Sequence, residues 1–362
     1  MQIKFLELQN FRNYDHLSAD FSKGCSIIYG ENGQGKTNIL ESIYMCSFGR
    51  SHKNSKDGEI IKSGCDEGHI KAEFSSEYNS HRVDMHLKKN RSKGIALDRV
   101  PLKKLGDLYG RILVVMFSAE DLAIVRRSPA DRRRFIDLQL CQIDPIYMED
   151  ISVYNRILEQ RRELFKKMDE ENDRHAFDST LDIWDMQLCE YGSRIIKRRR
   201  EFIEELNDII FDIHYDISGG KEKIKILYEP SSDEDSFYEN IIRNRERDRI
   251  YKQTHTGPHR DDMGFYDGNT DLKIYGSNGQ QRSCAISLKL SEIYIIEKLK
   301  KEKPVLLLDD VLSELDRGRQ LHLIERLNDV QTIITCTGMD EFIEEKLGAV
   351  KKIHIEKGRI ID

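Results

Sequence analysis

Residues 30–37, GENGQGKT, restrict the possible folds of this chain more than any other stretch. They fit G-x-x-x-x-G-K-[ST] and sit between an apolar run, CSIIY (25–29), and TNILESIYMCSF (37–48), where Ile39, Leu40, Ile43, Tyr44 and Phe48 recur at helical spacing. Strand, glycine loop and helix in that order belong to an α/β sheet. Such a loop lets the backbone wrap a phosphate with its N–H groups inward, and the helix N-terminus adds partial positive charge. Gly30, Glu31, Asn32, Gly33, Gln34, Gly35, Lys36, Thr37 and Asn38 form the candidate cradle. Lys36 would reach the β- and γ-phosphates of a nucleotide, and the Thr37 hydroxyl would ligate Mg²⁺. The bland alternative is a glycine-rich strand–helix turn that binds nothing.

A second element completes this reading. VLLLDDV (305–311) ends a buried apolar strand on two aspartates, and carboxylates there are costly unless a cation or hydrogen bonds meet them. Asp309 is suited to partner Mg²⁺, and Asp310 to position or deprotonate an attacking water. SELD follows, with Ser313 and Asp316 at the offset of the D-loop of ABC-type ATPases, although an ordinary helix cap reads the same way. A further strand, QTIITCT, runs into Thr335 and Thr337, where ABC-type proteins usually place a histidine on the γ-phosphate; none is present, and by that resemblance Thr337 or ordered water would do the sensing. FSAEDL (117–122) follows a buried strand, where ABC-type heads carry the glutamine of the Q-loop, and has none; by that resemblance Ser118 or Glu120 would approach the metal.

Between these motifs the texture changes. Residues 69–97 alternate as an antiparallel meander, and RILVVMF (111–117) reads as a buried strand. Ser128-Pro129 then starts a charge-rich helical stretch. Ile151, Tyr154, Leu158, Phe165 and Met168 form one apolar stripe, and Leu181, Trp184, Leu188, Tyr191, Ile195, Phe202 and Leu206 a second. Two antiparallel helices of roughly 25 residues, ~38 Å each, are expected, with polar residues 169–179 between them. After residue 250 the strand patterns MGFYD and DLKIYG return. The expected organisation is an α/β, ABC/SMC-type P-loop head in two lobes, from 1–127 and 251–362, with a helical domain inserted at 128–250.

The net charge of −6 over 362 residues leaves nucleic-acid attraction to local patches. No apolar run of about 18 residues occurs, so no membrane partner is expected. MQIKFLELQNF reads as a strand and not as a signal peptide. Seven cysteines without a CxxC pair suggest reduced thiols in a cytosolic protein.

The phosphate loop, the turn YGSNGQQRS (275–283) before a helix, and LLLDDVLSELD (306–316) together resemble the split ATPase head of the SMC and ABC class. About 240 residues separate Thr37 from Ser277, far more than a transporter cassette needs. LELQNFRNY (6–14), FSAEDLAIVRRSPADRRRFID (117–137) and THTGPHRDD (254–262) extend the likeness to the RecF family of bacterial recombination mediators, with Ala119 where that family more often has proline. The resemblance implies ATP and Mg²⁺ as cofactors, an ATP-bound homodimer, and slow hydrolysis stimulated by DNA. It implies binding to dsDNA and ssDNA/dsDNA junctions, partnership with RecO and RecR in loading RecA, and a cytoplasmic, nucleoid-associated location. Ser277, Asn278, Gly279, Gln280 and Gln281 would face the γ-phosphate held by the other protomer, with Gln280 and Gln281 lining the interface and Arg282 bracing it. The competing classes are an SMC-like structural clamp, which would carry longer coiled coils, and an ABC-type ATPase coupled to another partner.

Several residues read two ways. Arg12 and Asn13 either wall the nucleotide site or form an ordinary hairpin turn. In THTGPHRDD, His255 and His259 do not make a metal site with Asp261 and Asp262; Arg260 either contacts phosphate or braces the turn through those aspartates. Lys53, Lys56, Lys62, Lys88, Lys89, Arg91, Arg132 and Arg133 are the candidate DNA contacts, through phosphates and without base reading. Lys197–Arg200 and residues 243–252 are expected mainly as solvated helix faces.

Overall fold

The computed structural model describes residues 1–53, 55–77, 79–167, 174–327, 329–338, 345–347 and 350–361. Met168 and residues 169–173 of the expected interhelical segment lie outside them. In chain order, β1 (Gln2–Phe11) and β2 (Tyr14–Asp20) lead to β3 (Cys25–Tyr29), α1 (Lys36–Phe48) and α2 (Asp57–Ile60). Next come β4 (Glu67–Ser75), β5 (Ser80–Lys88), β6 (Gly94–Leu97), β7 (Val100–Pro101) and β8 (Val114–Ser118). The central part holds α3 (Pro129–Ile143), α4 (Pro145–Lys167), α5 (Arg174–Ile217), β9 (Ile224–Glu229), α6 (Phe237–Tyr251), β10 (Asp262–Asp267) and β11 (Thr270–Asp271). The remaining elements are α7 (Asn278–Lys300), β12 (Val305–Asp309), α8 (Arg317–Glu325), β13 (Thr332–Cys336), β14 (Lys351–Glu356) and β15 (Arg359–Ile361).

Two compact units result, one of residues 1–123, 216–220 and 282–362, the other of 124–215 and 221–281. The first unit holds two sheets. One has the order β15-β14-β3-β13-β12-β8, parallel apart from the β14–β15 hairpin. The other, β2-β1-β4-β5-β6-β7, is antiparallel throughout and includes the expected meander. Helix α1 packs against β4 of one sheet and against β8, β12 and β13 of the other. That position explains why it is buried on nearly every side, including Glu41, Ser42 and Ser47, and not only along the expected apolar stripe.

In the second unit α4 and α5 run antiparallel, as the pairs Asp144–Arg198, Asp150–Arg194 and Arg161–Asp185 and the Phe165–Phe177–Leu181 cluster require. The helices are 23 and 44 residues long, so the second far exceeds the expected length. The buried register of α4 is Tyr147, Asp150, Tyr154, Ile157, Arg161 and Phe165; Ile151 and Leu158 are only half-buried. Ser128 caps α3 as its sequence suggests, in a capping box with Asp131.

The expected boundary near residue 250 needs correction. Residues 251–281 belong to the second unit, because β10 pairs along its length with β9. DLKIYG is not a strand beyond Asp271: the Ile274 and Tyr275 amides both donate to the Asp271 carbonyl in a turn.

Candidate nucleotide-binding site

The loop at residues 30–35 leaves the carboxyl end of β3, the edge where α/β sheets place ligands. Two glycines there are required by their surroundings. Gly30 has φ 149° and a Cβ on it would lie 2.2 Å from the Ile355 carbonyl oxygen; Gly35 has φ 112° and its Cβ would meet the Asn13 amide group and the Tyr14 hydroxyl within 2.8 Å. Lys36 folds back to donate to the carbonyls of Gly30 and Glu31, both at 2.7 Å. Burial draws its pKa down, opposed by Asp310, Cys336 and Asp309.

Strand β13 separates β3 from β12, and its register places Cys336 beside Tyr29 and Thr335 beside Asp309. The loop and the paired aspartates therefore share one sheet edge. Thr37 Oγ1 donates to Asp309 Oδ1 at 2.7 Å, and Thr335 Oγ1 donates to the same oxygen at 2.8 Å. Thr335 in turn accepts the Asp310 N–H at 3.0 Å, whereas Thr337 is exposed. Asp310 adopts φ 52°, an uncommon conformation for a residue other than glycine and one found at functional sites. Ser313 Oγ donates to the Asp310 carbonyl at 2.7 Å, and Asp316 caps α8 by accepting from the Arg319 N–H at 3.1 Å. Ser118 donates from its N–H and hydroxyl to Asp121, not to Glu120. A hydroxyl and a carboxylate converging at the end of a glycine cradle suit a hard divalent cation beside a phosphate.

The site has supports that the sequence did not disclose. Arg12 Nε and Nη2 donate to the Glu41 carboxylate at 2.8 and 2.6 Å, while Nη1 reaches the Glu59 carbonyl. Its guanidinium thus anchors α1 and is not extended toward the loop. Burial alone would raise the Glu41 carboxyl, but hydrogen bonds from Arg12 and Ser51 and the Arg12 charge hold it below its usual range. Asn13 does reach the loop: Nδ2 donates to the Gln34 carbonyl at 2.8 Å, and Asn38 Nδ2 donates to Asn13 Oδ1 at 2.9 Å. The β14–β15 hairpin presses on the loop as well, with the Lys357 N–H on Gln34 Oε1 and His354 stacked on Tyr29 at 4.7 Å. Gln34 and Asn13 are the only local clues to these contacts.

The turn at 275–283 forms part of the second unit up to Gln281. Ser277 and Gln280 make a reciprocal capping box: Ser277 N–H donates to Gln280 Oε1 at 3.0 Å, and Gln280 N–H to Ser277 Oγ at 3.2 Å. Ser277 and Asn278 are exposed, and Gly279 is half-buried. Gln281 is only 4% exposed and its amide donates to the Leu272 carbonyl at 2.6 Å. It holds the turn from within and does not line an interface. Arg282 Nη1 donates to the Glu314 carbonyl at 2.7 Å, tying this helix to the SELD segment.

The candidate DNA cations separate by exposure. Lys53, Lys56, Lys89 and Arg91 are exposed. Lys88 is half-buried, and Lys62 pairs with Asp15 at 2.6 Å. Arg132 is a correction: it is 1% exposed, bidentate on Asp262 at 2.6 and 2.7 Å, and unable to meet a phosphate. Arg133 Nη1 donates to the Asp261 carbonyl at 2.6 Å. In the KRRR run, Arg198 pairs with Asp144, Arg199 with Asp137 and Asp261, and Arg200 with Asp233 and Glu234, while Lys197 is exposed. His259 bonds the Tyr154 hydroxyl and the Thr254 carbonyl, and burial lowers it to about 4. Arg260 braces Thr254, not Asp261 or Asp262.

The family model described as RecF/RecN/SMC N terminal domain matches residues 2–360. The DNA replication and repair protein RecF of Agathobacter rectalis is 51% identical over 360 residues, covering 99% of each chain. The solved structure of the recombination mediator protein RecF-ATP in the RecFOR pathway is 33% identical with a TM-score of 0.91, covering 99% of this chain and 97% of that one. An Smc head domain from Pyrococcus furiosus shares the fold, with a TM-score of 0.57 at 15% identity over 99% of this chain and 96% of the other. Among the described residues, no helix is long and apolar enough to cross a membrane.

Proposed function

The chain belongs to the RecF family of SMC-type ATPase heads, and on that premise we propose that it is an ATP-gated DNA clamp in recombinational repair and replication restart. The observation that carries the reading is the joining of two distant motifs at one sheet edge: Thr37 meets Asp309 at 2.7 Å beside the Lys36 loop. ATP is held by the loop from Gly30 to Asn38, with Lys36 released from its two carbonyls to the β- and γ-phosphates. Thr37 and Asp309 would hold Mg²⁺, which supplies charge neutralisation between the phosphates. Asp310 orients the attacking water for slow, DNA-stimulated hydrolysis.

Two protomers close on ATP, with Ser277 and Gly279 of one facing the γ-phosphate of the other. Nucleotide has differential affinity for the dimer and so drives it. The dimer presents exposed cations of the first unit to dsDNA or to the edge of a single-stranded gap. With RecO and RecR, it promotes RecA loading there.

Sedimentation of wild type, Lys36→Met and Ser277→Arg with and without ATP tests this. Wild type should dimerise on ATP. Lys36→Met should neither bind a fluorescent ATP analogue nor dimerise, and Ser277→Arg should bind it yet remain monomeric. Dimerisation of Ser277→Arg as complete as wild type would leave the turn as a helix cap only; undiminished dimerisation of Lys36→Met would remove the ATP gate.

A further inference from the structure

The solvent face of the antiparallel sheet carries a group of side chains that nucleotide chemistry does not use. His69 of β4 and His86 of β5 are direct cross-strand partners, so their side chains leave the same face. Glu67 lies two residues before His69 and shares that face by the two-residue period of a strand. The two imidazoles stack with ring centres 4.2 Å apart and planes 22° apart. His86 Nε2 is 2.7 Å from Glu67 Oε2, and one ligand atom from each of the three residues falls within 4.8 Å of the others.

We propose that Glu67, His69 and His86 form a binding site for a divalent transition metal, of the zinc class, clipping β4 to β5. Two imidazoles and a carboxylate match the ligand preferences of zinc and its neighbours and not those of magnesium or calcium, which take oxygen alone. Bonds of 2.0–2.1 Å to nitrogen and oxygen set ligand atoms about 3.3 Å apart in a tetrahedral site. Both strands are held by their neighbours β1 and β6, so closing the present spacing, within 4.8 Å, falls to the side chains. The metal takes the place of the contact between His86 Nε2 and Glu67 Oε2. Lys88, the cross-strand partner of Glu67, is the competing cation. The fourth position opens to water.

The test is titration of the nucleotide-free, full-length protein with Co²⁺, read by visible absorption, with Zn²⁺ as competitor. A single saturable equivalent is expected, with d–d bands but no thiolate-to-cobalt charge transfer, and Zn²⁺ should displace it. None of the seven cysteines is in a disulfide, and all stay in every variant, so a thiol site identifies itself by the charge-transfer band. His69→Gln and His86→Gln should each abolish the d–d signal, and Glu67→Gln should weaken it. Circular dichroism checks that these exposed-face variants remain folded. The proposal is overturned if wild type shows no saturable d–d signal, if its only signal is of thiolate type, or if the His69→Gln/His86→Gln double variant binds as wild type does.

Discussion

Both units bury charge, but the arginines of the second and the phosphate-loop groups of the first use it in opposite ways. In the second unit Arg161, Arg199 and Arg132 are essentially inaccessible and lie on Asp185 and Asp248, on Asp137 and Asp261, and on Asp262. Those partners are fixed carboxylates on neighbouring elements, and Arg161 also stacks over the Phe165 ring at 4.7 Å. In the first unit Lys36 rests on two backbone carbonyls, and Asp309 accepts from two hydroxyls. These are neutral partners that a phosphate and a cation outbid, because bonds between charged groups are roughly twice as strong. A charge whose partner is another buried charge is structural; a charge resting on neutral groups at a sheet edge is held ready for a ligand.

The largest effect should come from breaking the first kind of pairing. Arg161→Met strips the guanidinium from Asp185 and Asp248, leaving them only Arg245 and His255. Loss of one partner from a buried pair costs about 3–5 kcal/mol, and calorimetry should show it as a lowered unfolding transition. ATP binding by the folded protein should be unchanged. Parallel loss of nucleotide affinity would break the division between the two kinds of charge.

Glu41 is the intermediate case, a buried ion pair that supports the ligand site. Glu41→Gln should cost about 1.5–3 kcal/mol at neutral pH, the range for hydrogen bonds to charged groups. A carboxyl depressed in the fold adds stability above its unfolded value, near 4.5. That stability is lost as pH falls through the lower folded value. The wild-type melting temperature should therefore fall more steeply than that of Glu41→Gln below about pH 4.5. Parallel curves would mean that Arg12 does not stabilise the ionised form.

Features set by local chemistry were legible in the sequence. The strand–loop–helix at 25–48, the aspartates closing β12 and the Ser128-Pro129 start of α3 depend on neighbours a few residues away. Contacts across the chain were not. Arg12 finds Glu41 29 positions on, Arg132 finds Asp262 130 positions on, and Lys357 meets Gln34 over 323. A run of arginines has the same pattern whether it faces water, phosphate or a distant aspartate, so sequence alone does not separate Arg132 from Lys89. Gln281 misled similarly: polarity beside a turn suggested an interface, but the side chain holds the Leu272 carbonyl. The 44-residue α5 exceeds the expected length because Ile210, Ile213 and Ile217 carry its buried stripe on past Leu206.

The smallest effect on stability, and the sharpest division between cations, should come from Lys89. It is exposed and lies 4.0 Å from Asp66, itself 90% exposed, a surface pair worth little. Lys89→Ala should change stability by less than about 0.5 kcal/mol. If it meets a phosphate, the slope of log affinity for DNA against log salt, measured with ATP, should fall by about 1. Arg132→Met should do the reverse, lowering the unfolding transition while leaving that slope as in wild type. The reason is geometric, since a guanidinium bidentate on Asp262 and 1% exposed releases no counterion from DNA. A slope that falls in Arg132→Met and holds in Lys89→Ala would show that exposure in the isolated chain does not decide which cations meet DNA.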